Sequence, residues 1–88
     1  MREIRWTEEA EDHIAAHKVS PGEAEQVVNS RPRLVVRGRD ETEYMFGTTE
    51  AGRYLLVVLV GAIDGRDYVV TARDMTHAER QAFQRKGR

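Results

Sequence analysis

Arg73 stands where a β-branched run, Tyr68-Val69-Val70-Thr71-Ala72, gives way to Asp74-Met75-Thr76-His77-Ala78-Glu79. Thr76 and Glu79 have the spacing of a capping box, so the sequence predicts a strand that ends on an arginine and a helix that opens just after it. A guanidinium at such a junction, beside the unpaired N–H groups of a helix start, is suited to hold a phosphate. The plain alternative is an ion pair with Asp74 or Glu79, the commoner fate of a surface arginine.

Three further residues could join that chemistry. Arg53 follows Gly52 at the start of an apolar strand, and His17-Lys18 sits at the expected end of the first helix. An imidazole beside guanidinium groups can transfer protons near neutral pH. His13 and His17 are four residues apart on a helix, which is half of a zinc-site spacing, but Ile14-Ala15-Ala16 lies between them and no third ligand stands out. With no cysteine there is neither a disulfide nor a thiolate metal site. No metal and no cofactor is expected, and no Gly-rich phosphate loop or nucleophile elbow is present in the sequence.

The elements that must position these residues are legible from local signals. Glu3 to Trp6 alternates as a short strand, Thr7 caps a helix with Glu8 and Glu9 in its first turn, and Ala10 and Ile14 form its thin apolar stripe. Ser20-Pro21-Gly22-Glu23 is a second capping box, opening a helix that presents Ala24, Val27 and Val28 and stops near Pro32. Strands follow at Leu34–Val36, Tyr44–Phe46, Tyr54–Val60 and Tyr68–Arg73, with turns over 47–52 and at Asp64-Gly65. On strict alternation, Val69, Thr71 and Arg73 share one face of the last strand and Tyr68, Val70 and Ala72 the other. A final helix covers 77–85. Tyr54–Val60 is apolar on both faces and reads as the central strand.

The order β-α-α-β-β-β-β-α predicts one α+β domain over residues 1–88. Two amino-terminal helices pack on a mainly antiparallel four- to five-stranded sheet, and a helix closes the chain. If the last four strands form a meander, Arg31, Arg33, Arg53 and Arg73 fall at one end of the sheet and make a cationic rim.

The charge pattern agrees with such a rim. Net charge is −1 over 88 residues, but residues 31–39 hold four basic and no acidic side chains, and so do residues 80–88. Residues 1–30 hold three basic against seven acidic, and residues 40–79 three against eight. Twelve of the fourteen basic residues are Arg, whose planar fork suits phosphate and carboxylate. No apolar run approaches the length of a membrane span or signal peptide, so a cytoplasmic location and no membrane partner are expected.

Trp6, His17, Val19, Ser20, Gly47, Gly52-Arg53, Leu55, Val57-Val58, Thr71-Ala72-Arg73, Thr76 and Glu79-Arg80 together resemble the BrnT family, ribonuclease toxins of type II toxin–antitoxin systems. The resemblance spans nearly the whole chain, and its most specific part is Thr71-Ala72-Arg73 followed by Thr76-x-x-Glu79-Arg80. It implies a RelE-like fold, metal-independent RNA cleavage, and a ribbon–helix–helix antitoxin as partner. The chain departs from the family pattern at Thr7, where an Asp is usual, at Ala10, where a Lys is usual, and at Ala16-His17-Lys18, where Lys-His-Gly is usual. Thr42 or Glu43 stands where an Arg is common.

The mechanism expected from this resemblance and the rim is attack of the ribose 2′-oxygen on the adjacent phosphorus. Arg53 and Arg73 would stabilise the phosphoryl charge, and His17 would move the proton. Lys18, Arg31, Arg33 and Arg80 would bind the RNA backbone. That mechanism requires Arg53 and Arg73 to face the same way, with neither locked onto a carboxylate. The alternative is a non-catalytic module of the same fold that holds a small acidic partner, favoured by the missing cations and an acidic isoelectric point near 6.3. A homodimer through the last helix or a bare sheet edge is a third expectation.

Overall fold

The computed structural model describes residues 3–61 and 65–87. Its elements run β1 (Ile4–Arg5), α1 (Glu8–Ala16), α2 (Pro21–Val28), β2 (Leu34–Arg37), β3 (Thr42–Thr48), β4 (Tyr54–Gly61), β5 (Asp67–Asp74) and α3 (His77–Lys86). The fold is α+β, with three helices and a five-stranded mixed sheet in the order β1-β5-β4-β3-β2. β2 to β5 form an antiparallel meander, and β1 joins the far edge parallel to β5. β4 is the central strand, as its two apolar faces require. Asp64 of the expected Asp64-Gly65 turn lies outside the described residues. Among the described residues no helix is long and apolar enough to cross a membrane.

Local chemistry fixes the helix starts. Thr7 accepts a hydrogen bond from the Ala10 backbone N–H at 3.1 Å. Ser20 and Glu23 complete a reciprocal capping box at α2, and Thr76 and Glu79 do so at α3. Each cap satisfies otherwise orphaned N–H groups and contributes about 1 kcal/mol.

One face of the sheet carries the core. Met45, Leu55, Val57, Leu59, Val69 and Ala72 pack against Ile14 of α1, Val19, and Ala24, Val27 and Val28 of α2. Leu55, Val57 and Ile14 are fully buried, and their burial is the main force docking both helices. α3 lies across part of the opposite face, where Phe83 is buried and meets Tyr54 edge-on at 5.9 Å.

Two expectations are corrected. Thr48 still belongs to β3, so the connection to β4 is Thr49–Arg53, turned by Gly52 at φ 89 and by the Gly52 N–H bond to the Thr49 carbonyl. Strict alternation along β5 also fails. Val58 faces Thr71 and Leu59 faces Val69, so Val70 is an extra residue in a bulge. Val69 and Ala72 therefore both reach the core, while Arg73 turns to the face that α3 covers.

Candidate functional site

The meander does bring the start of β2, the end of β3, the start of β4 and the end of β5 to one rim. Leu34 lies across from Phe46, Thr48 from Tyr54, and Leu55 from Asp74. The four arginines expected there do not converge.

Arg53 is the bolt of the α1–α2 side. Its Nε donates to Asp74 Oδ1 at 3.0 Å, and its Nη1 donates to the Lys18 carbonyl at 2.6 Å and to Glu23 Oε1 at 3.2 Å. Nη2 reaches the His17 carbonyl and Asp74 Oδ2, both at 3.4 Å. One guanidinium thus ties the loop between the first two helices to α2 and to the end of β5. Hydrogen bonding to Asp74 first, and to Glu23 next, raises its pKa against the opposing effect of burial. Glu23 is held below the usual carboxylate range, first by the Ser20 backbone N–H and then by Arg53.

Arg73 leaves β5 on the other face. Paired with Leu56, it stands one residue from Asp74, which pairs with Leu55 on the core face, so strand alternation points the two side chains apart. Its Nη1 and Nη2 donate to the two Glu79 oxygens at 2.7 and 2.9 Å, a bidentate fork, and Nη1 also donates to the Asp74 carbonyl at 3.0 Å. Glu79 accepts in addition from the Thr76 N–H at 2.9 Å. Its pKa is lowered, chiefly by Arg73, and that of Arg73 is raised, chiefly by Glu79. The expectation that Arg53 and Arg73 grip one phosphorus is overturned: they lie on opposite faces of the sheet, and each is engaged by carboxylate.

The other expected residues are scattered. His17 caps α1 with its side chain exposed, its ring 6.1 Å from that of His13 and tilted by 45°. Lys18 is exposed at φ 59 beside it. Both neighbour Arg53 through their backbone and are separated from Arg73 by the sheet. Arg33 turns inward and donates to the Val28 carbonyl at 2.8 Å, which stitches the start of β2 to the end of α2. Arg31 lines a cleft with Glu25, Gln26, Thr48 and Glu50. Among the described residues no group of three or more His, Cys, Asp or Glu side chains could hold a metal.

Arg80 reaches the face that carries Arg73, over a residue that the sequence pattern does not single out. Its guanidinium lies 3.9 Å over the Tyr54 ring, and Gln84, one helical turn on, donates to the Tyr54 hydroxyl at 3.4 Å. Tyr54 lies across from Met75, whose N–H it receives at 3.1 Å, so Arg73 is its diagonal neighbour on the same face. Arg80 follows Glu79 directly, and one patch thus gathers Tyr54, Arg73, Glu79 and Arg80. Two guanidiniums against one carboxylate leave it a net positive charge. The hydrogen bond from Gln84 first, and the adjacent Arg80 next, lower the Tyr54 pKa from the usual 10.0. Tyr54 reads in sequence as the apolar start of a strand. The signal available was Arg80 and Gln84 at i, i+4 spacing, both projecting to one side of the last helix.

No protein-family model matches this chain, and no curated protein matches it.

Proposed function

We propose that this chain is a metal-independent RNA endonuclease toxin of the BrnT kind, with a RelE-like fold, held in check by a ribbon–helix–helix antitoxin. The patch of Tyr54, Arg73 and Arg80 is then the site of cleavage, in place of the Arg53–Arg73 pair. The observation that carries this reading is the Tyr54 phenol set under Arg80 and diagonal to Arg73, a proton acceptor and two guanidiniums on one surface. The resemblance at residues 71–80 supports it, because Arg73, Glu79 and Arg80 of that motif belong to the patch.

The chemistry balances without a metal. The Tyr54 phenolate takes the ribose 2′-hydroxyl proton, the 2′-oxygen bonds to phosphorus, and the bond from phosphorus to the 5′-oxygen breaks. A 2′,3′-cyclic phosphate forms, and the 5′-oxygen takes a proton from water. Arg80, and Arg73 once it exchanges Glu79 for phosphate, stabilise the charge on the phosphoryl oxygens, where one preorganised donor is worth about 3 kcal/mol. Arg53 is a structural clamp in this scheme, and His17 has no part in the reacting centre.

The bidentate Arg73–Glu79 pair favours a second reading, a non-catalytic module of the same fold that binds an antitoxin-like partner. A guanidinium already neutralised is poorly prepared for phosphate. Incubation of the purified chain with single-stranded RNA separates the two. The toxin reading expects fragments ending in cyclic phosphate, with Arg80→Ala and Tyr54→Phe each slowing cleavage at least tenfold while the thermal transition stays near that of the parent. Intact RNA with the parent chain would leave only the binding module.

A further inference from the structure

Apolar exposure in this molecule is concentrated at one sheet edge. Of the large hydrophobic side chains exposed among the described residues, Val35, Val36 and Tyr44 lie on β2 and β3, and only Val70 lies elsewhere. Among the described residues β2 is the terminal strand and pairs with β3 alone, so its outer N–H and C=O groups face away from the sheet. Val36 is 48% exposed and sits opposite Tyr44, 38% exposed, on the face away from α1 and α2. The flanks of the strand are basic: Arg31 and Arg33 precede it, Arg37 ends it with its side chain 82% exposed, and Arg39 follows. Glu43 touches Arg37 at 3.4 Å, and Asp40 and Glu41 form the adjoining turn, so these carboxylates gather at the Arg37 end while residues 31–39 themselves hold no acid.

We propose that the outer edge of β2 is a docking site for an extended acidic segment of a partner protein, which adds a sixth strand to the sheet. Backbone groups on β2 supply the ladder, alternate apolar residues of the guest extend the Val36–Tyr44 surface, and its intervening carboxylates meet Arg31 and Arg37. A second copy of this chain fits poorly, because antiparallel pairing of two β2 strands would bring Arg37 and the basic flanks of one copy against those of the other, with no carboxylate on either strand. RNA also fits poorly, since phosphates would leave the edge carbonyls without donors and both valines unused. The site lies at the margin of the sheet, apart from the Tyr54 patch, and holds whether or not the chain cuts RNA.

The probe is a synthetic peptide of about eight residues alternating Glu and Val, the length of an ordinary strand, compared with one alternating Lys and Val. Backbone amide shifts on titration of the acidic peptide into the full chain are expected at residues 34–37 and across β3, with the Lys peptide binding at least tenfold more weakly. The double substitution Arg31→Glu with Arg37→Glu should invert that preference. Should the double variant fail to fold, Arg37→Ala alone is expected to weaken the acidic peptide severalfold and to flatten its salt dependence. Equal binding of the two peptides, shifts confined to β1 or α3, a single-stranded RNA that reproduces the β2 shifts, or a mass that doubles with protein concentration would each overturn the proposal.

Discussion

Arg53, just before β4, and Arg73, next to the end of β5, stand at the same rim of the sheet, yet their guanidiniums leave through opposite faces, with Asp74 touching both. The Asp74 carboxylate receives Arg53, and its backbone carbonyl receives Arg73. Two cations that connectivity brings together are thus assigned to different jobs by strand alternation. One braces the helical layer, and the other joins α3 and Tyr54.

If Arg53 is a brace, its loss should be felt in stability before activity. Arg53→Ala removes bonds to two carboxylates and two backbone carbonyls, at a side chain 27% exposed. Hydrogen bonds to charged groups of this kind, discounted for partial exposure, come to about 2 kcal/mol. In a domain of this size that lowers Tm by about 8–16 °C. A thermal scan and a cleavage assay at low temperature check the assignment: Tm should fall while the rate per folded molecule holds. A normal Tm with lost cleavage would return Arg53 to the reacting centre.

The element order, all three caps and the rim were legible because each rests on short-range chemistry. Thr7, Ser20 and Thr76 announce helix starts by residue type and spacing, and hairpin connections decide which strand ends coincide. Which face Arg73 takes was not legible. Strict alternation groups it with Val69, and the extra residue at Val70 breaks that grouping. β3 also starts earlier than its apolar run suggests, at Thr42 rather than Tyr44. Asp40 and Glu41 close the hairpin at φ 55 and 61, and neither carries the glycine signature of a left-handed turn. Tyr54 was hidden for another reason. Its partners come from a helix some 26 to 30 residues later, and no local pattern around Tyr54 points to them.

Glu79 sets the availability of Arg73. In Glu79→Gln the amide oxygen still accepts from the Thr76 N–H, so the cap is largely kept, while the charge that holds Arg73 is gone. Stability should fall by about 1 kcal/mol. RNA affinity should rise severalfold, and the salt dependence of binding should steepen by about 0.7 in logarithmic slope, the value for one more phosphate contact on a single strand. Titration of a fluorescent oligonucleotide at several salt concentrations measures both. Unchanged affinity would mean that Arg73 serves only the fold.

Acid should loosen the molecule through two named carboxylates. Glu23 and Glu79 both have pKa values lowered from 4.5 in the folded chain. A lowered folded value means the unfolded chain binds protons first, so the stability each contributes is complete above about 4.5 and is lost as pH falls through the folded values. Urea midpoints should be flat from pH 7 to 5 and then decline. In the double variant Glu23→Gln with Glu79→Gln the midpoint at pH 7 should be lower and the decline shallower. An equally steep decline there would place the acid sensitivity in other groups.

Tyr54 makes the most specific demand on the toxin reading, because a phenol acts as a base only in its ionised form. The hydrogen bond from Gln84 and the adjacent Arg80 both favour the phenolate, so its folded pKa lies below 10.0 and the reactive form gathers as pH rises toward that value. Cleavage should therefore climb with pH through an apparent pKa under 10 and level off above it. Gln84→Ala and Arg80→Ala should each move that inflection upward, toward the ordinary phenol. In Tyr54→Phe the climb should be reduced to the slow background of hydroxide, while the edge contact with Phe83 and the thermal transition are kept. A pH–rate profile that is the same for Tyr54→Phe and the parent would remove the phenol from the chemistry, and with it the reason for placing cleavage beside α3.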